Sequence, residues 1–187
     1  MGLILLIVLV LAVAVLVMYN GLIGKRNQVD QAASSVDVML KKRFDLIPNL
    51  VATVDRYMAH ERGLLTELTE LRTRALQGDL STTQRVELDN EMRSALGRLM
   101  VSVEAYPDLK ASQNFVQLQG ALNEAEEQIS AARRAYNAAV TSFNNAIQMA
   151  PSNILAGMLR LTPRPLFAAT EVERRSVDVR GMFQGGQ

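Results

Sequence analysis

From Phe115 to Ala150 the chain carries apolar or small residues at Phe115, Leu118, Leu122, Ala125, Ile129, Ala132, Tyr136, Ala139, Phe143, Ala146 and Ala150. The steps alternate between three and four without a miss. That spacing is a heptad seam, which only a long helix packed lengthwise against other helices can bury. It commits the chain to a helical architecture. The rest of the sequence then has to supply the partners of this helix and the place where the package is anchored.

The anchor is at the start. Residues 1–24 hold no charged side chain, and Leu3 to Met18 is unbroken apolar sequence. A helix of this length crosses a hydrocarbon core of ~30 Å. Tyr19 has the amphipathic ring favoured at the membrane interface. A cleaved signal peptide would need a basic start and a small-x-small site, and Gly21 and Gly24 make a poor one. Lys25 and Arg26 follow directly, so the positive-inside rule places the N-terminus outside and residues 25–187 in the cytoplasm.

Three further amphipathic stretches precede the seam. Val29, Ala32, Val36, Leu40 and Phe44 stripe a helix over 20–44 that continues the membrane helix. Asp45 is a good N-cap and Pro48 falls in the first turn after it, so a break near 44–45 is expected. One helix running through Pro48 is the competing arrangement. The second helix has a seam of Ile47, Leu50, Val54, Tyr57, Glu61, Leu64, Leu68, Leu71 and Ala75, and Gly78-Asp79 ends it. Ser81-Thr82-Thr83-Gln84 matches a capping box that opens a third helix. Its stripe is Val86, Met92, Leu96, Leu99, Val103 and Tyr106, with Asp89 interrupting it. Pro107 stops that helix, and Asp108 begins the fourth.

The expected fold is all-α. An N-terminal transmembrane helix (1–24) leads into an antiparallel four-helix bundle with long helices (25–150) and a membrane-proximal or irregular tail (151–187). The lengths do not balance: at 1.5 Å per residue the last helix would be roughly 60 Å long and the first roughly 37 Å. In the tail, Ile154, Leu155, Met158, Leu159 and Leu161 form one short apolar face beside Arg160 and Arg164. It either folds back on the bundle end or lies against lipid, with Tyr19, Lys25, Arg26, Leu155, Leu159 and Arg160 as the expected interface residues. Val172 to Val179 alternates weakly, and Gly181 to Gln187 reads as a mobile end.

Little in the chain points to chemistry. The 20 basic and 19 acidic residues nearly cancel, and there is no Trp, which argues against nucleic acid as a partner. With one His and no Cys, the usual zinc ligand sets are unavailable. His60-Glu61 lacks the second histidine of a zinc protease motif. No catalytic residue, cofactor or metal is therefore expected. Glu61 falls on an apolar seam, where a carboxylate needs a partner. Either it pairs with Arg133, close to Tyr136 and Asn137, or the seam drifts and Glu61 reaches water. Lys41-Lys42-Arg43 is read as complementing a helix dipole, and Glu124, Glu126 and Glu127 as a solvated face.

Together, several short motifs resemble the LemA family of membrane-anchored bacterial proteins over about residues 19–167. They are Tyr19-Asn20; Leu40 to Arg43 with Asp45-Leu46-Ile47-Pro48-Asn49-Leu50-Val51; His60-Glu61; Ala105-Tyr106-Pro107 with Leu109-Lys110-Ala111; Phe115 with Leu118-Gln119; Glu126 or Glu127; and Ala132-Arg133-Arg134-x-Tyr136-Asn137 with Val140, Phe143-Asn144, Pro151 and Asn153. The tail after Phe167 is the least diagnostic part. The resemblance implies a cytoplasmic four-helix bundle behind one span. Magnetosome proteins similar to this family act in forming internal membranes. The functional expectation is a non-enzymatic scaffold that self-associates and organises membrane, with membrane lipid, further copies of itself and membrane proteins as partners. An adaptor for a membrane enzyme such as a protease is the alternative.

Overall fold

In the computed structural model, which describes residues 1–58, 60–77 and 80–167, the protein is built from six helices with no strand among the described residues. They are α1 (Gly2–Val54), α2 (Arg62–Leu76), α3 (Thr82–Val103), α4 (Pro107–Lys110), α5 (Gln113–Gln148) and α6 (Ser152–Met158). The expected stop at Gly78-Asp79 and the tail readings at 172–187 lie outside the described residues.

The first helix departs most from expectation. It does not break at 44–45 but runs unbroken from the apolar start through Pro48 to Val54. A proline inside a helix removes one N–H and leaves the carbonyl four residues back without its intrahelical donor. Here that carbonyl belongs to Phe44, and Arg72 of α2 donates to it from Nε at 3.2 Å. The Pro48 ring itself faces solvent. A side chain from the neighbouring helix thus replaces the missing backbone donor.

This continuity resolves the mismatch in lengths. From Leu22, its first buried residue, α1 runs ~50 Å against ~54 Å for α5. The two lie antiparallel: Lys25 Nζ donates to Ser142 Oγ at 2.6 Å, and Lys42 pairs with Glu124 at 2.9 Å. The second pair, α2 and α3, is antiparallel too, with ion pairs Arg74–Glu91 and Arg98–Glu67. The α3 start is a true capping box: Gln84 N donates to Ser81 Oγ at 3.3 Å, and Ser81 N donates to Gln84 Oε1 at 2.9 Å. Pro107 opens the separate short helix α4, so the last long helix begins at Gln113 rather than Asp108.

One apolar core runs through these contacts. It takes Leu40, Ile47 and Leu50 from α1, Leu65, Leu68 and Leu71 from α2, Met92 and Leu99 from α3, and Phe115, Ile129 and Phe143 from α5. The α5 seam drifts by one position along its length. Phe115, Leu122, Ala125 and Ile129 are buried as expected, but beyond them Arg133, Val140 and Ile147 are buried while Ala132, Ala139 and Ala146 are half-buried. An α-helix advances 3.6 residues per turn against the 3.5 of a heptad, so a fixed seam slides around it. By contrast, every residue from Met1 to Val17 is exposed.

Arg72→Met should cost about 1–2 kcal/mol of unfolding free energy, the penalty for a carbonyl left unsatisfied. In a Pro48→Ala background, where residue 48 regains its N–H, most of that cost should vanish. Denaturant unfolding of the four proteins in a double-mutant cycle measures the coupling. Equal costs in both backgrounds would refute the donor-replacement role of Arg72.

Candidate functional site

The most unusual chemistry is buried where α1, α3 and α5 meet. The 3–4 spacing of Val36, Leu40, Arg43 and Ile47 places Arg43 on the inward face of α1. In α3, Asp89 takes a core position between Leu88 and Met92. The side chains of Arg43 and Asp89 are both 0% exposed, and Arg43 Nη2 donates to Asp89 Oδ1 at 2.6 Å. The other oxygen, Oδ2, pairs with Nη2 of Arg133 from α5. Arg43 Nη1 donates to Glu126 Oε1 at 2.6 Å, and Glu126 Oε2 lies 3.5 Å from Nη2 of Arg93.

Asp89 is therefore held between two guanidiniums from different helices, and Glu126 lies between one of them, Arg43, and a third, Arg93. Burial pushes the pKa of Arg43 below its ordinary value, while the charge and hydrogen bond of Glu126 push it back up. A guanidinium stays protonated through a shift of this kind, so Arg43 keeps its charge within this set of ionic groups. Such a set is costly to desolvate, and it is costlier still to leave incomplete.

A strap closes over the cluster. After α6 the chain turns at Arg160, whose φ is 52°, and runs back along α5. Two asparagines one heptad apart hold it. Asn144 donates from Nδ2 to the Arg164 carbonyl at 2.9 Å and accepts the Arg164 N–H at 2.9 Å. Asn137 does the same for Phe167, at 3.1 and 2.9 Å. The registers match because seven helical residues rise ~10.5 Å while three extended residues span ~10 Å. Tyr136 adds a hydrogen bond from its hydroxyl to the Pro165 carbonyl at 3.0 Å. Phe167 is buried at the end of the strap. Its ring meets Tyr136 edge-on at 5.0 Å and lies 5.5 Å from the Arg133 guanidinium carbon. Burial raises the Tyr136 phenol above its usual value; Arg164 opposes this and Asp30 adds to it.

Of the residues singled out from the sequence, Arg133, Tyr136 and Asn137 gather here, beneath the strap. Glu61 does not join them. It sits half-buried at the N-cap of α2, beside Gly97 and Arg98 of α3, while Arg133 pairs with Asp89. The physical reason is that the seam that carried Glu61 is cut in two where α1 ends at Val54. His60 is exposed in the same turn. At the other end, Tyr19 and Arg26 are exposed, and Arg26 lies 4.0 Å from Asp30. Leu155 and Leu159 are half-buried and Arg160 is exposed.

Sequence reasoning missed Arg43, Asp89 and Glu126 as a group. Asp89 was visible as a break in an apolar stripe. Arg43 was hidden in a basic run whose three members point to different partners: Lys41 to Asp45, Lys42 to Glu124 and Arg43 to the core. Among the described residues, no group of His, Asp and Glu side chains is arranged to hold a metal ion.

The family model described as "LemA family" matches residues 32–180 of this chain, reaching past Phe167. Protein LemA of Metamycoplasma hominis is 32% identical over 159 residues, covering 85% of this chain and 73% of that protein. Magnetosome protein MamQ 2 of Paramagnetospirillum magneticum is 26% identical over 166 residues, covering 75% of this chain and 61% of that protein. Magnetosome protein MamQ of Magnetospirillum gryphiswaldense is 24% identical over the same length, with the same coverage. The chain thus spans under two thirds of the magnetosome relatives.

Asp89→Leu should destabilise the fold by about 3–5 kcal/mol, because it removes the buried carboxylate that the Arg43 and Arg133 guanidiniums share. Replacing Arg43→Met, Asp89→Leu and Arg133→Met together should recover most of the loss. Thermal unfolding measures both. A triple variant no more stable than Asp89→Leu would show that the cluster contributes more than mutual charge compensation.

Proposed function

Because the chain belongs to the LemA family, we propose that it is a single-pass membrane protein whose helical body acts as a non-enzymatic scaffold. It self-associates and organises the membrane or the proteins in it. The observation that carries this reading is the unbroken helix α1. It passes from an apolar segment long enough to cross a bilayer straight into the packed body. Self-association of a body mounted this way would impose a fixed geometry on the membrane. Gly21 and Gly24 support association, since a side chain at either would meet only open space and small residues let helices approach closely. The similarity to proteins named for magnetosomes supports a role tied to membrane organisation. Lys25 and Arg26, directly after the apolar segment, favour a cytoplasmic body in a bacterial inner membrane.

Mass measurement of the full chain in mild detergent tests the reading. The expected result is an assembly of several copies that Gly21→Leu with Gly24→Leu weakens. A strictly monomeric chain would overturn self-association, and an enzyme co-purifying in fixed ratio would replace the scaffold with an adaptor. Labelling of Lys110→Cys by an impermeant thiol reagent outside intact cells would overturn the orientation.

A further inference from the structure

We infer that the end of α5 together with α6 forms a foot embedded in the membrane leaflet from which α1 emerges. This rests on α1 being a membrane span, as proposed above, and concerns a surface that the span alone does not require.

Register is the first argument. Lys25 and Ser142 touch across the antiparallel pair of α1 and α5. Seven residues past Ser142 is Met149, the residue that caps the end of α5, and seven residues back along α1 is Met18, each ~10 Å beyond the contact. The end of α5 therefore stands level with the last residues of the apolar run. The chain then turns, and α6 packs across both α5 and α1 at that height.

The second argument is the surface this end presents. On α6, Ala156 is buried and Leu155 half-buried against the core, whereas Ile154 and Met158, four residues apart, point away from it. Ile154 is 70% exposed, Met158 77% and Met149 63%. Large apolar side chains this exposed, next to a bare apolar helix, match lipid rather than water. Leu155 and Leu159 face the body more than they face outward, so the lipid-facing residues are Met149, Ile154 and Met158.

Charge is the third argument. No charged residue lies between Arg134 and Arg160, so the foot carries none. Basic residues stand behind it, at Lys25, Arg26, Arg160 and Arg164. Asp30, the acidic residue among them, is shared between Arg26 at 4.0 Å and Arg164 at 3.7 Å. An uncharged tip that exposes large apolar side chains beside the amides of Gln148 and Asn153, with a basic rim, is the arrangement of a segment lying in an interface that contains anionic headgroups. The membrane-facing occupant is thus the bilayer leaflet itself.

The chain has no Trp, so single tryptophans report their own surroundings. The full chain is reconstituted in phosphatidylcholine–phosphatidylglycerol vesicles with Leu11→Trp, Ile154→Trp, Met158→Trp or Val101→Trp. Emission is then compared with and without brominated acyl chains. The expected result is strong quenching at 11, clear quenching at 154 and 158, and none at 101. Quenching at 11 without quenching at 154 and 158 overturns the foot and leaves the span standing. No quenching at 11 overturns the span, and with it the premise. Equal quenching at 101, 154 and 158 also overturns the foot, since the whole body would then lie on the membrane.

Discussion

Asp89 is a carboxylate with no access to water, held between the guanidiniums of Arg43 and Arg133. Apolar packing alone tolerates sliding, because leucines and alanines along a seam are nearly interchangeable. A buried charge is not interchangeable. A shift of one turn in α1, α3 or α5 would strand it at a cost of several kcal/mol. The cluster therefore sets the register that the core merely fills. Glu126 takes the second nitrogen of Arg43 and extends the lock towards the surface, and Phe167 covers the Arg133 end.

Register matters because α1 is continuous. A break at Pro48 would detach the last turns of α1, with Leu50 and Val54, from the line of the helix that faces α5. Arg72 serves the carbonyl that Pro48 orphans, so the helix keeps its full length. Upstream of Pro48 the same helix runs without a break, so what is fixed deep in the body at Arg43 is transmitted to Lys25 and to the apolar segment beyond. The asparagine pair Asn137 and Asn144 extends the same order to the returning chain, whose extended spacing matches one heptad of α5.

Much of this was legible in the residues because the signals are local. The α5 periodicity, the Ser81–Gln84 capping box and the charge-free start each depend on neighbours in sequence. The helix through Pro48 was legible only as the competing arrangement, since the donor that permits it comes from α2. Nor was the charge cluster. Arg43 looks like part of a basic run, Glu126 like part of an acidic surface, and only the packed helices bring them to Asp89. Glu61 lay on an apparent seam that ceases to exist once α1 ends at Val54. Arg133 was the right arginine with the wrong partner: its helix drifts at 3.6 residues per turn, which turns it towards α3 and Asp89.

The long helix from Phe115 now has a definite place. It lies along the body portion of α1, and its end reaches the height at which α1 becomes bare and apolar. That relation is tested most directly by disulfide formation in isolated membranes, in a chain that has no native cysteine. Lys25→Cys combined with Ser142→Cys should cross-link within one chain, under mild oxidation or with a short bifunctional thiol reagent that spans the reach of the lysine side chain it replaces. Lys25→Cys combined with Ala135→Cys, two turns away, should not. Cross-linking at 135 but not at 142 would contradict the register on which the membrane-facing geometry depends.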